Sequence, residues 1–113
     1  MLLVLLSVWT IPQLEWQVWA DMFPNMREII RCESNFKVKA FNAKDTDGRS
    51  KFGILQIGRR EFNAWSKAAG IKNPNIWNPM HQIVVFRWAE ENDLIGRWGC
   101  YHTLLKKGQI FID

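Results

Sequence analysis

The sequence has few of the residues that build metal centres and cross-linked scaffolds. Only two cysteines and two histidines occur among its 113 residues, and they stand at no recognisable metal-ligand spacing, which excludes the common zinc sites. It also contains no internal repeat, low-complexity tract or linker, which excludes repeat arrays and tethered modules. With 48% hydrophobic and 23% charged residues, the chain is expected to fold as one small globular domain.

No apolar run reaches the roughly 20 residues that a membrane-spanning helix needs. The longest run, Met1 to Ile11, has only Ser7 and Thr10 as polar residues. It has the length of a signal-peptide core, and residues 18–20 offer small or medium side chains where a signal peptidase would cut, although a basic head is missing. Residues 1–20 are therefore interpreted either as a signal peptide whose true start lies upstream or as an apolar N-terminal arm.

The charge of the chain favours an anionic partner. The net charge is +4 and the pI is about 9.3, which suits nucleic acid, a membrane surface or an acidic polymer such as bacterial cell wall. The basic residues are scattered, in pairs such as Arg59 with Arg60 and Lys106 with Lys107, without the dense cluster of a nucleic-acid reader. We therefore expect no nucleic-acid partner.

The two cysteines, Cys32 and Cys100, lie far apart in the sequence. A disulfide between them would join the first core helix to the C-terminal segment and would fit an exported protein. The alternative is a pair of buried free thiols in a reducing compartment.

Hydrophobic spacing predicts an α+β domain that is mainly helical. The first helix is expected to begin at Glu15 or Pro24 and to end near Asn35. The polar, turn-rich residues after Phe41, followed by an apolar strand at Phe52–Ile57, predict a small β-hairpin.

Further helices are predicted in the second half of the chain. One covers Arg59–Ala69 and stops at Gly70. Another has Asn78 as its N-cap and Pro79 at its first position, and Gly96 is expected to end it.

Two side chains in the first half of the chain suggest a sugar-cleaving site. Glu33 follows Ile29, Ile30 and Cys32 at the end of the predicted helix, so apolar surroundings would raise its pKa and would make it a general acid. Gln56 lies near the end of the glycine-hinged strand and could grip a neutral polar ligand. Considered alone, such a glutamate is more often simply solvated.

The segment Cys32–Arg59, CESNFKVKAFNAKDTDGRSKFGILQIGR, resembles the active-site segment of the lysozyme-like superfamily. This superfamily includes animal C-type lysozymes, bacterial lytic transglycosylases and resuscitation-promoting factors. ESNF, the TDG turn and GILQI match the C-type pattern at almost the same separation. The cysteine beside the glutamate and the late Trp98-Gly99-Cys100 are closer to the small bacterial members. The resemblance does not extend to the first twenty residues or to the tail.

The resemblance implies a lysozyme-like fold with a small β-hairpin beside the catalytic helix. Residues 21–105 would form the catalytic domain, and residues 106–113 would be a C-terminal tail. The resemblance makes Glu33 the catalytic acid. It also implies substrate-binding positions, which are Ser34, Phe52, Gln56 and Ile57. For Ser34 and Gln56 the alternative is that their polar groups only satisfy the backbone.

One departure from the C-type pattern bears on the mechanism. Where those lysozymes carry a second carboxylate, before the aromatic residue of the glycine strand, this chain has Lys51, which can be neither nucleophile nor anionic stabiliser. Asp45 and Asp47 belong to the turn, and only a shifted register would bring one of them into the reaction. The resemblance then implies a lytic transglycosylase, with hydrolysis as the competitor. Tyr101 stands outside the Ala-Tyr-Asn motif of many transglycosylases.

These expectations define the proposed setting of the protein. It would cut peptidoglycan glycan strands between N-acetylmuramic acid and N-acetylglucosamine, as a monomer, without cofactor or metal, outside the cell, in the periplasm or at the cell envelope. A catalytically silent glycan-binding protein and a phage or secretion component are the alternatives. Four tryptophans could line a sugar groove, namely Trp65, Trp77, Trp88 and Trp98. At their spacing, packing in the core is the more common role.

Overall fold

The computed structural model describes residues 15–111 and has the predicted fold class, α+β with mainly helix. The predictions for residues 1–14 and 112–113 lie outside the described residues. In chain order the elements are helix α1 (residues 15–22), α2 (Pro24–Ser34), strands β1 (Phe41–Asn42) and β2 (Lys51–Phe52), α3 (Arg59–Ala68), α4 (Pro79–Glu91), a 3₁₀-helix (Ile95–Arg97) and α5 (Gly99–Lys106). In this part of the chain no helix is both long and apolar enough to span a bilayer.

The sequence predicts a single helix that begins at Glu15 or Pro24, and the structure has two helices in this region, α1 and α2. Pro24 occupies the first turn of α2 and separates it from α1, because proline fits the start of a helix and interrupts its interior. Asn35 ends α2 in the left-handed conformation, with φ 51°, and its N–H donates to the Arg31 carbonyl. Trp16 and Ala20 of α1 are buried in the core, so these arm residues pack against the domain.

The hairpin is present, but the predicted strand at Phe52–Ile57 is wrong. Phe41 pairs with Phe52 in an antiparallel register, and β2 ends there. The chain then reverses in a tight turn, since Gly53 and Gln56 have φ of 78° and 49°. Phe52 and Ile57 close this turn by exchanging backbone hydrogen bonds of 3.1 and 3.0 Å. The apolar residues between them are buried in a turn and not in a strand.

The two later helices that the sequence predicts, α3 and α4, are both present, but α4 ends well before its predicted end. α3 ends one residue before its predicted end, and Gly70 follows with φ 80°. Asn78 caps α4 by accepting hydrogen bonds from the N–H groups of Met80 and His81. The prediction that this helix reaches Gly96 is wrong, because α4 ends at Glu91 and Asp93 turns the chain with φ 59°.

A disulfide and the C-terminal residues hold α2 against the end of the chain. Cys32 and Cys100 form the expected bridge, with their Cα atoms 6.0 Å apart, so α2 is covalently tied to α5. Asn25 of α2 donates to the Phe111 carbonyl at 2.6 Å and accepts from the Phe111 N–H. Ile110 is buried. The segment that was expected to be a tail therefore packs on the domain as far as the structure describes it.

Candidate active site

A cleft of about 500 Å³ lies between the end of α2, the hairpin and the start of α5. The residues that matter most for its chemistry are Glu33, Asp45, Asp47, Gln56, Trp65 and Trp98. Carboxyl groups, an amide and aromatic rings therefore share one cavity, as a binding site for a polar ligand with apolar faces requires.

Glu33 is one of the acidic residues that line this cleft. It is the penultimate residue of α2, directly after the bridged Cys32. Burial raises its pKa from the ordinary 4.5 to about 7, because the charged form loses solvation. A backbone hydrogen bond from Cys100 opposes this shift, the charge of Asp45 adds to it, and Lys51 lowers the pKa slightly. The side chain can therefore both give and take a proton near neutral pH.

The raised pKa of Glu33 predicts a pH-dependent difference in stability between the wild type and the Glu33→Gln variant. The folded state binds the proton more tightly than the unfolded chain, so this stabilisation is complete below pH 4.5 and is lost as the pH rises to about 7. The loss amounts to up to about 3 kcal/mol of unfolding free energy. Urea unfolding of both proteins at several pH values checks this. A constant difference across that range would contradict the shift.

Lys51 lies in the same cleft and is paired with an aspartate of the preceding turn. Its Nζ donates to Asp47 Oδ2 at 2.7 Å, and the lysine side chain is only 15% exposed. The hydrogen bond from Lys51, followed by one from the Arg49 backbone N–H, lowers the pKa of Asp47. Asp47 therefore stays ionised next to the ammonium group, and the pair is close to neutral overall.

The turn that contains Asp45 and Asp47 borders the cleft. The sequence places both aspartates in this turn, and the structure agrees, since the Asp45 N–H donates to the Arg49 carbonyl and its carbonyl accepts from Gly48. Both side chains also line the cavity that holds Glu33. Asp45 and Asp47 therefore belong to the turn and also reach the site, an arrangement that the sequence alone did not indicate.

Of the four predicted sugar-binding residues, Gln56 and Ile57 line the cleft, whereas Ser34 and Phe52 are not among its lining residues. The Nε2 group of Gln56 donates to the carbonyls of Ala40 and Gly53, at 3.1 and 2.9 Å. These bonds fix the side chain against the hairpin. The Gln56 amide therefore satisfies backbone carbonyl groups, which is the alternative role that the sequence left open.

Ser34 and Phe52 have structural contacts instead. The Ser34 hydroxyl is buried and donates to the Ile30 carbonyl of its own helix at 3.2 Å. The ring of Phe52 packs against Phe41 and Trp77, with centroids 5.2 and 5.5 Å away. Phe52 therefore stabilises the hairpin from the side.

Two of the four candidate groove tryptophans reach the cleft. Trp65 and Trp98 both line it, with ring centroids 5.9 Å apart. Trp77 packs on Phe52, and the tilted ring of Trp88 packs against Trp65 with centroids 6.1 Å apart, as the core interpretation expects. Trp98 is 5% exposed, so only a small part of its ring is available to a ligand.

Several cleft residues carry no sequence motif that could have identified them. They are Glu61, Arg97, His102 and Thr103. Glu61 comes from the first turn of α3 and pairs with Arg49 at 3.4 Å, whereas the others come from the 3₁₀-helix and from α5, neither of which was predicted. Arg97, His102 and Thr103 reach the site only because of the path that the chain takes after α4.

The fold and the cleft together define a small α+β domain with a carboxylic acid of raised pKa in a tryptophan-lined cavity. Within residues 15–111, no group of three or more histidine, cysteine, aspartate or glutamate side chains is arranged to hold a metal ion. Comparison of the chain with protein-family models, with curated proteins and with solved structures finds no match.

Proposed function

We propose that this protein cleaves the β-1,4 bond between N-acetylmuramic acid and N-acetylglucosamine in peptidoglycan, as a lytic transglycosylase. The observation that carries the proposal is the position of Glu33, an acid with a pKa of about 7 inside a cleft of about 500 Å³. The resemblance of residues 32–59 to the lysozyme-like active-site segment supports the same reaction.

Glu33 would act twice in this reaction. The protonated carboxyl group donates its proton to the glycosidic oxygen, the bond from the muramic acid C1 to that oxygen breaks, and the oxygen keeps the electron pair. The carboxylate then takes the proton of the C6 hydroxyl group, whose oxygen bonds to C1 and closes a 1,6-anhydro ring. A pKa of about 7 suits both steps, because each form is well populated near neutral pH.

Lys51 supports a mechanism with one carboxylate. Its ammonium group lies in the cleft, pairs with Asp47, and acts on the pKa of Glu33. Pairing with the lysine weakens Asp47 as a second carboxylate that could act as nucleophile or stabilise positive charge.

Hydrolysis is the second candidate, because Asp45 lines the same cleft. Its negative charge raises the pKa of Glu33. An ionised aspartate beside the sugar could stabilise an oxocarbenium-like transition state while a water attacks C1.

Product analysis of digested peptidoglycan separates the two candidates. We expect wild-type protein to release muropeptides with anhydro ends, and Asp45→Asn to retain activity within about threefold, since the proposed mechanism needs no second carboxylate. Asp93→Asn, an isosteric change at an exposed aspartate outside the cleft, is the matched control. Mass spectrometry would instead find reducing ends, with about a hundredfold loss in Asp45→Asn, if the reaction is hydrolysis.

The disulfide and the charge support the proposed setting. A Cys32–Cys100 bridge is typical of oxidising compartments, which fits an extracellular, periplasmic or envelope location. The net charge of +4 favours approach to an anionic cell wall.

A further inference from the structure

Gln82 is a buried polar residue that connects α4 to the cleft wall without lining the cleft. It is 0% exposed. Its Nε2 group donates to the carbonyls of Phe52 and Ile76 at 2.8 and 2.6 Å, and its Oε1 accepts from the Leu55 N–H at 2.8 Å. All three bonds leave α4, so the side chain joins this helix to the turn after β2 and to the loop before α4.

The turn that Gln82 holds needs external support. Gln56 has a positive φ, which residues other than glycine rarely adopt. Leu55 is fully buried, and its N–H and carbonyl point to partners distant in sequence. Gln82 accepts from the N–H, and the indole Nε1 of Trp98 donates to the carbonyl at 2.7 Å. Two side chains from other elements therefore fix the backbone of this turn.

The contact between Gln82 and the turn is close enough to exclude a side chain. A Cβ atom on Gly53 would clash with Gln82 Nε2, so a side chain there would force the amide group to shift. Gly53 also has φ 78°. The turn thus rests directly on the Gln82 amide group.

We infer that Gln82 is a positioning residue, which holds the turn so that Gln56 and Ile57 form the sugar-binding wall opposite Glu33. The inference rests on the proposed function, since it gives this wall an amino-sugar ligand. Glu33 itself is held separately, by α2 and by the disulfide to α5. Loss of the Gln82 contacts should therefore disturb the wall and leave the acid in place.

The main test uses Gln82→Met, which keeps the length of the side chain and removes all three hydrogen bonds. Gln17→Met, at an exposed position of α1, is the matched control. Binding of the trisaccharide of N-acetylglucosamine is measured by calorimetry in a Glu33→Gln background, and peptidoglycan cleavage is measured with Glu33 present. We expect Kd and KM to rise about tenfold or more in Gln82→Met, with the pH profile of kcat unchanged.

Gln82→Glu is the second variant and guards against loss of folding in Gln82→Met. The carboxyl group keeps the shape of the amide and the acceptor for the Leu55 N–H, but only its protonated form can donate to one of the two carbonyls. We expect Kd of this variant to increase from about pH 5 to about pH 8, whereas Kd with Gln82 present stays constant in the Glu33→Gln background. A purely structural role would lower the melting temperature and leave Kd of the folded protein unchanged.

The outcomes distinguish this inference from the proposed function. Trisaccharide binding that weakens in both Gln82 variants supports the inference. If wild-type protein binds the trisaccharide but releases no muropeptides, only the proposed function is overturned. Wild-type cleavage together with unchanged Kd and KM in the folded variants overturns the inference alone. A wild-type protein that neither binds the trisaccharide nor cleaves peptidoglycan overturns both.

Discussion

Replacement of Glu33 by glutamine is expected to lower peptidoglycan cleavage by about a hundredfold to ten-thousandfold, the usual contribution of general acid–base catalysis. Glutamine keeps the size and polarity of the side chain but can neither protonate the glycosidic oxygen nor take the C6 hydroxyl proton. The pKa of about 7 for Glu33 would give wild-type protein an optimum near neutral pH. Release of muropeptides from purified peptidoglycan, followed over time by mass spectrometry, measures the loss.

The control for this experiment is Glu91→Gln, a change at a glutamate of α4 whose side chain is 67% exposed and lies outside the Glu33 cleft. It should cleave like the wild type. Trisaccharide binding should persist in Glu33→Gln, because only proton transfer has been removed. Cleavage at wild-type rates by Glu33→Gln would show that another group supplies the proton, and the proposed mechanism would fail.

Removal of the disulfide is expected to cause the largest change in stability. Cys32 and Cys100 are 68 residues apart in the sequence, and closing such a loop in the unfolded chain stabilises the folded state by about 4 kcal/mol in the chain-entropy model. This is a large share of the stability of a small domain. Cys100→Ser should therefore lower the free energy of unfolding by about that amount, as measured by urea unfolding under oxidising conditions.

Reducing agent provides the matched comparison for the disulfide. Reduction of the wild-type protein should lower its free energy of unfolding to nearly that of the double variant that carries both Cys32→Ser and Cys100→Ser. Reduction should have no effect on the double variant itself. Equal stability of oxidised wild type and Cys100→Ser would mean that the bridge contributes nothing to folding. Differential labelling of free thiols confirms the redox state in each sample.

The parts of the fold that could be predicted are those that local chemistry determines. Asn78 and Pro79 mark the start of α4 because their capping and backbone preferences operate within one turn of helix. Gly70 marks the end of α3 in the same way. The turn at residues 53–56 was mistaken for a strand because its apolar side chains are buried, and burial alone does not distinguish strands from turns.

The candidate site likewise has residues that the sequence predicts and residues that it does not. Glu33, Gln56 and Ile57 lie within one recognisable segment, and all three line the cleft. Ser34, in the same segment, instead bonds to its own helix, an outcome that depends on the direction of one side chain. Trp98 and the α5 residues reach the site only because the chain turns at Asp93, where the sequence predicted further helix.

The covalent link next to Glu33 has a consequence for where the protein can work. Glu33 follows Cys32 directly, and the Cys100 backbone lowers the pKa of the glutamate carboxyl group, so both bridged cysteines adjoin the acid. A newly made chain in a reducing cytosol would lack the covalent tie between α2 and α5, and the packing of these two helices alone would hold the acid. Under the proposed activity, the chain would reach its most stable cleaving form only in an oxidising compartment.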